Sequence, residues 1–227
     1  MKSIPDLEPL SAIEVKRLVK EGAVVVDTRP GLAFAAGHVP GSYSVPLRDE
    51  FAKWVASVVP RGLPLIIVST GRQPHQEIIR RLASMEYDSL AGFMEGGISA
   101  WGGEAGFPMA SMEVLTVSEL KERLKSPDPP LVLDVRSDAE WSQGHIPGAV
   151  HMEAGSLPQE ADRLPADHPM AVYSATHNRS ATALSILEQK GFEGLSLVLE
   201  GWSAWEKARY AVERREHRKP TKSTTDE

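Results

Sequence analysis

Residues 24–29 read Val-Val-Val-Asp-Thr-Arg, and residues 131–136 read Leu-Val-Leu-Asp-Val-Arg. Each stretch is an apolar run that ends in Asp-x-Arg, and the two lie 107 residues apart. Three further blocks repeat in the same order, at offsets that fall slowly from 107 to 104. This pattern indicates a duplication, and the drift indicates small deletions in surface loops of the second copy. The matched blocks are 24–29 with 131–136, 37–41 with 144–148, 65–69 with 170–174, and 97–101 with 201–205.

The duplication divides the chain into two domains of about 105 residues, a normal size for a domain. We predict a first domain over residues 8–106, a second over 107–212 and a polar tail over 213–227. The boundary falls in a stretch at 102–109 that is rich in Gly and contains a Pro, as linkers often are. The basic residues of the tail alternate with two glutamates, which favours a solvated segment over a binding patch.

Both copies show the same order of predicted elements, with a short helical piece before each Gly-His-x-Pro-Gly turn. Capping boxes at Ser11-x-x-Glu14 and Thr116-x-x-Glu119 mark the first helix of each copy. Alternating strands and helices indicate an α/β fold, here two domains that each contain a mostly parallel sheet flanked by helices. The predicted strands are 23–26, 42–45, 65–68, 90–93, 131–133, 149–151, 171–173 and 195–199, and the predicted helices are 12–20, 50–58, 75–85, 117–125 and 180–190.

The composition argues against several classes of function. The net charge is −6, and a weakly acidic chain is a poor match for nucleic acid. The chain has no cysteine, which removes disulfides, thiolate metal sites and thiol catalysis. The apolar runs are too short to span a bilayer, and the N-terminus lacks a signal-peptide core. We therefore expect a cytoplasmic protein with no nucleic-acid or membrane partner, and no metal or other cofactor, because the histidines lack ligand spacing.

Taken together, these motifs resemble the rhodanese family in tandem form. The resemblance rests on Asp-x-Arg, Gly-His-[Val/Ile]-Pro-Gly, Asn-Arg-Ser after a strand, and a closing Gly-x-x-x-Trp, and it covers roughly residues 8–212. The chain is also similar to the rhodanese pair that follows a metallo-β-lactamase domain in some sulfide-metabolising proteins, although no His-x-His-x-Asp-His run occurs here. The resemblance implies transfer of a sulfane sulfur, from a donor such as thiosulfate through a cysteine persulfide to a thiophilic acceptor.

The family loop reads Cys-x-x-Gly-x-Arg-Ser, and both copies depart from it. In the second copy serine replaces the cysteine and histidine replaces the glycine, while the arginine and the last serine match. In the first copy all four of these positions differ, so we predict that the first loop is structural. The second loop aligns as Ser174, Ala175, Thr176, His177, Asn178, Arg179 and Ser180, and the degenerate first loop as Ser69, Thr70, Gly71, Arg72, Gln73 and Pro74, followed by His75.

The second loop is the candidate functional site, because ligands of parallel sheets bind at the carboxyl ends of strands. Backbone N–H groups at a helix N-terminus favour an anion there, and Arg179 offers a charged fork for a tetrahedral oxyanion. Alternatively, Arg179 only caps local carbonyls or pairs with a surface carboxylate. Ser174 occupies the cysteine position, but a hydroxyl needs an adjacent base. His177 is the only candidate base in the loop, and we expect its ring to face water.

Other notable residues are predicted to be structural. The Asp-x-Arg pairs, Asp27 with Arg29 and Asp134 with Arg136, should tie loops together. His38 and His145 should be hydrogen-bonded within their turns, and Trp101, Trp202 and Trp205 should pack in the core or between domains.

The favoured function is that of a tandem rhodanese-like protein without sulfur transfer, which binds a small sulfur-containing or other oxyanion, or a persulfide-carrying protein. One alternative is an active thiosulfate or persulfide sulfurtransferase whose natural residue at position 174 is cysteine. A second is a serine-based hydrolase or phosphatase, which the short spacing from Ser174 to Arg179 disfavours because related phosphatases carry a loop one residue longer. A third is a purely structural interaction module.

Overall fold

The computed structural model describes residues 7–70, 75–87 and 89–214, and it confirms the duplicated α/β architecture. Each copy forms a five-stranded sheet whose neighbouring strands are all parallel. The first sheet has the order β1-β5-β4-β2-β3, with β1 at Pro9–Leu10, β2 at Val24–Asp27, β3 at Tyr43–Ser44, β4 at Leu65–Val68 and β5 at Leu90–Met94. The second has the order β6-β10-β9-β7-β8, with β6 at Glu113–Leu115, β7 at Leu131–Asp134, β8 at Val150–His151, β9 at Met170–Tyr173 and β10 at Leu195–Val198.

The helices flank the two sheets in equivalent positions. Those of the first domain are α1 (Ala12–Lys20), α2 (Gly31–Ala36), α3 (Phe51–Val58), α4 (His75–Ala83) and α5 (Gly97–Ser99), which continues as a π-helical turn at Ala100–Glu104. Those of the second are α6 (Val117–Arg123), α7 (Asp138–Gln143), α8 (Leu157–Glu160) with a 3-10 turn at Ala161–Arg163, α9 (His177–Gln189) and α10 (Gly201–Lys207).

Local signals explain most of these boundaries. The predicted capping boxes are present at the start of α1 and α6, where the cap hydroxyl and the Glu side chain bond reciprocally. All four residues of β4 and of β9 are buried, which is why these strands read as continuous apolar runs. The edge strands β1 and β6 were not predicted, since two or three residues carry too little pattern.

The Asp-x-Arg motifs tie loops together, as predicted. Arg29 bonds to the Asp27 carboxylate and also donates from Nη2 to the carbonyl of Gly37, at 2.7 Å. This bond joins the loop after β2 to the Gly-His-x-Pro-Gly turn. The second domain repeats the arrangement with Asp134, Arg136 and Gly144.

The other residues predicted to be structural also have structural contacts. His38 bonds through Nδ1 to the carbonyl of Phe34, and His145 bonds in the same way to Trp141. The indoles of Trp101 and Trp205 are buried and donate to backbone carbonyls. Trp202 is half-buried, with its ring 4.4 Å from the Arg136 guanidinium.

Helix α9 joins the two domains. Its residues 180–187 are all buried, because one side of the helix covers the second sheet and another side packs on α2 and β3 of the first domain. A helix with two covered sides has no polar stripe, which fits a helix at an interface. Hydrogen bonds across the interface include Gly31 N to Asn178 Oδ1 at 2.9 Å, Ser44 N to Ser185 Oγ at 3.0 Å, and His38 Nε2 with Glu188 Oε2 at 2.9 Å.

The segment after each domain folds back on that domain. Ala110 pairs with His38 in an antiparallel bridge, and Glu213 pairs with His145 in the equivalent place. Residues just beyond 106 and 212 therefore still contact the preceding domain, and positions 215–227 of the predicted tail lie outside the described residues. None of the helices among the described residues has the length and apolar character that a membrane-spanning helix needs.

Candidate functional site

Ser174 directly follows β9, at the carboxyl edge of the second sheet. Its side chain is fully buried. The hydroxyl Oγ donates to the carbonyl oxygen of Thr176 and lies 3.0 Å from Oγ of Ser180. Neither group takes up a proton at neutral pH, and His177 is not among the described partners of this hydroxyl. Ser174 is therefore held in place without a base to activate it.

Helix α9 begins at His177, three residues before the predicted start at Ser180, so that prediction was wrong. Only residues 174–176 separate the strand from the helix. The reason lies at position 177, where the family loop has glycine. Glycine readily adopts left-handed or other open backbone conformations, whereas histidine favours the right-handed helical region. Residues 177–180 therefore form the first helical turn rather than an extended loop.

This helix start lacks the side-chain cap that several other helices have. Thr176 is the N-cap residue of α9 and is exposed, but its side chain makes no capping bond. By contrast, α1, α6 and α7 each begin with a complete capping box. The first N–H groups of a helix have no partner within the helix, so the start of α9 presents donors and the positive end of the helix dipole.

Arg179 pairs with Glu140 on α7. Its Nη1 lies 2.6 Å from Glu140 Oε2, and its Nη2 lies 3.3 Å from Oε1. Glu140 also accepts from the amide and hydroxyl of Ser137 as part of the α7 capping box. Burial alone would raise the pKa of Glu140, but the bonds from Arg179 and Ser137 outweigh it and lower the pKa to about 2. The pair therefore stays ionised and fixes the start of α9 against α7.

The first copy has lost both partners of this pair. The position equivalent to Glu140 is Ala33, in α2, and the position equivalent to Arg179 is Pro74. Pro30 replaces Ser137 as the N-cap residue and makes no side-chain bond. The loss of two contacting residues together is consistent with a first loop that no longer keeps the family geometry.

A cleft of about 860 Å³ opens between the domains at the start of α9. Residues 176–179 line it from the second domain, and Arg48, Lys53 and Trp54 line it from the first. Arg48 and Lys53 are exposed, and Nζ of Lys53 lies 3.5 Å from Oε1 of Glu50. In the cleft wall His177 and Asn178 are half-buried, and the Asn178 side chain is held by the first domain. Ala175 is half-buried and Ser180 is buried behind them.

The first loop has a different arrangement. Ser69 follows β4 and is nearly buried, whereas Thr70 is exposed. Oγ of Ser69 lies 3.1 Å from Nε2 of His75, the first residue of α4. The predicted loop residues Gly71, Arg72, Gln73 and Pro74 lie outside the described residues.

Sequence reasoning missed several residues near these loops. Glu140 was detectable, because Ser137-x-x-Glu140 is a third capping box. Arg48, Lys53 and Trp54 had no signal in the sequence, since only the packing of the domains brings α3 to the second loop. The histidine at 75 was seen as a departure from the family serine and not as a partner of Ser69.

The rhodanese-like domain family model matches residues 11–104 and again residues 116–208. The chain belongs to the rhodanese-like family. Its two matched regions coincide with the two sheets, so the chain is a tandem of rhodanese-like domains.

Three relatives each match a part of this chain about as long as one of its domains. The Bacillus subtilis protein YtwF, whose name describes a sulfurtransferase, is 32% identical over 97 residues, which is 42% of this chain and 93% of YtwF. YrkF of Bacillus subtilis, whose name describes a sulfur carrier, is 28% identical over 96 residues, 42% of this chain and 52% of YrkF. The crystal structure of a rhodanese-related protein from Thermoplasma volcanium is 29% identical, covers 45% of this chain and 99% of its own, and has a TM-score of 0.42.

Proposed function

We propose that this tandem rhodanese-like protein does not transfer sulfur, and that it binds a small oxyanion or a sulfur-carrying partner in the cleft between its domains. The observation that carries the proposal is Ser174 in the cysteine position, buried and bonded to the Thr176 carbonyl and the Ser180 hydroxyl. A thiolate forms at neutral pH when a positive environment lowers its pKa. A serine hydroxyl requires a base instead.

The start of α9 is the part of the cleft that favours an anion. The start of α9 has no side-chain cap, and its amide groups and dipole attract negative charge. The opposite wall carries charges of both signs, Arg48 and Lys53 beside Asp49 and Glu50, and in this proposal the two cations face the bound anion. In this proposal Arg179 acts through its bond to Glu140, which fixes the first turn of α9, and Ser180 acts through its contact with Ser174.

The proposed partner follows from the same chemistry. YrkF, a relative whose name describes a sulfur carrier, supports a place in sulfur relay. A persulfide or thiosulfonate group on a carrier protein is anionic, so it presents the same charge to the cleft as a free oxyanion. The cleft is also far larger than a single oxyanion needs, since volumes of about 300–1,000 Å³ accommodate drug-sized ligands.

Titration with thiosulfate, sulfate and phosphate tests this binding through the melting temperature. At about 100 times the dissociation constant, a ligand that binds only the folded state adds about 2.7 kcal/mol of stability, which is roughly 5–11 °C for a chain of this size. We expect the double variant Arg48→Gln/Lys53→Gln to lose most of this rise. Lys20→Gln, which removes an exposed cation at the end of α1, should keep it. No rise with any anion would favour the structural-module alternative.

A further inference from the structure

Ser69 and His75 place a hydroxyl beside a base, whereas the hydroxyl of Ser174 in the second loop has no base beside it. We propose that Ser69 and His75 form a nucleophile–base pair that reacts with activated esters and with related phosphonyl electrophiles. This activity is independent of anion binding at the second loop, since it uses residues of the other domain.

The pair stands where the fold places reactive groups. Ser69 follows β4, a central strand of the first sheet, as Ser174 follows β9 in the second. His75 and Ser180 both lie six residues further along the chain. The distances match as well, because Ser69 Oγ lies 3.1 Å from His75 Nε2 and Ser174 Oγ lies 3.0 Å from Ser180 Oγ. The two sites thus share this spacing and this distance, and they differ in whether the second residue is a base.

His75 is suited to accept a proton. Its ring is half-buried and packs against Phe93, with ring centroids 4.2 Å apart. Burial lowers the pKa of His75 from its ordinary value of 6.5, so the imidazole is neutral at pH 7. The position at the start of α4 also disfavours a positive charge. In the tautomer that carries its proton on Nδ1, Nε2 accepts the hydrogen bond from the Ser69 hydroxyl.

The reaction follows from this hydrogen bond. With an ester, Ser69 Oγ forms a bond to the carbonyl carbon while its proton passes to His75 Nε2. The tetrahedral intermediate expels the alkoxide, which takes the proton from His75, and the acyl group remains on Ser69. Water then attacks the acyl group with His75 as the base, which releases the acid and restores the hydroxyl. With a fluorophosphonate, the Oγ–P bond forms as the P–F bond breaks, the hydroxyl proton passes to His75 Nε2 and then to solvent, fluoride leaves, and the serine stays modified.

Labelling of the full chain with a fluorophosphonate, followed by peptide mass spectrometry, tests the pair. We expect modification at Ser69 and none at Ser174. General bases contribute about 10²–10⁴-fold, so His75→Gln should slow labelling by at least about 100-fold. Ser84→Ala, which removes an exposed hydroxyl just after α4, is the control and should label at the unchanged rate. Absence of label at Ser69, or an equal rate in His75→Gln, would overturn the proposal.

Circular dichroism would reveal whether His75→Gln folds. If it does not fold, the pH dependence of the labelling rate of the unchanged protein tests the same proposal. A neutral His75 is the active form, so the labelling rate of the unchanged protein should rise through a single ionisation below pH 6.5 and stay flat above it. A rate that grows with hydroxide concentration up to about pH 9, with no plateau, would mean that no histidine assists.

Discussion

Replacing Arg136 with methionine is expected to lower the free energy of unfolding by about 3–5 kcal/mol, because it leaves a buried carboxylate without its partner. Arg136 is 2% exposed and Asp134 is 0% exposed, and Nη2 of Arg136 lies 2.6 Å from Asp134 Oδ2. The same guanidinium donates to the carbonyl of Gly144, so the variant also frees the Gly-His-x-Pro-Gly turn. Equilibrium unfolding in urea measures the loss.

A second substitution, at Asp134, tests whether the unpaired buried charge causes the loss of stability. Tyr173 also donates to this carboxylate, at 2.5 Å, and burial together with the negative charge of Asp134 raises the pKa of Tyr173. Removing both charges in Asp134→Asn/Arg136→Met should recover part of the loss, since no buried charge is then left unpaired. Arg29→Met is the matched variant of the first domain, and we expect a similar cost there. A loss below about 1 kcal/mol would mean that this pair resembles a surface salt bridge.

Replacing Gly31 with alanine is expected to destabilise the protein by about 1–3 kcal/mol through overpacking at the domain interface. A Cβ at Gly31 would lie 2.8 Å from the Cβ of Ala181 and 2.9 Å from the carbonyl oxygen of His177. Both neighbours belong to α9, so the new methyl group would push the first domain away from the start of that helix. It would also strain the bond from Gly31 N to Asn178 Oδ1.

Helix propensity alone predicts that Gly31→Ala would stabilise the protein. Gly31 is the first residue of α2, where alanine is intrinsically better than glycine. Gly103→Ala is a suitable control, because a Cβ there meets no atom within 4 Å. We expect the control to unfold at or above the urea midpoint of the unchanged protein. If Gly31→Ala did so as well, the close packing of α2 on α9 would be contradicted.

The sequence predicted the duplication and the fold class because their signals are local. The apolar runs of β4 and β9, and the capping boxes of α1 and α6, depend on neighbouring residues alone. The family motifs then located both loops. The edge strands escaped prediction because a strand such as Pro9–Leu10 is defined by its pairing with β5, more than eighty residues away.

The details of the site depended on contacts between distant residues. Arg179 was expected to hold an anion or, alternatively, to pair with a carboxylate, and it contacts Glu140, which lies 39 residues earlier in the chain. The burial of α9 on two sides follows from the docking of the domains, which no periodic pattern encodes. The sequence marked His75 only as a departure from the family loop, because nothing in the pattern places its ring beside Ser69.

The protein has the rhodanese-like fold, and serine stands at the position of the family's sulfur nucleophile. Thiocyanate formation from thiosulfate and cyanide, with the unchanged protein and Ser174→Cys assayed side by side, tests directly whether sulfur transfer is absent. We predict that the unchanged protein gives only the uncatalysed rate, and that Ser174→Cys takes up one sulfur atom as a persulfide and forms thiocyanate. Turnover by the unchanged protein, proportional to its concentration, would contradict the proposed absence of sulfur transfer.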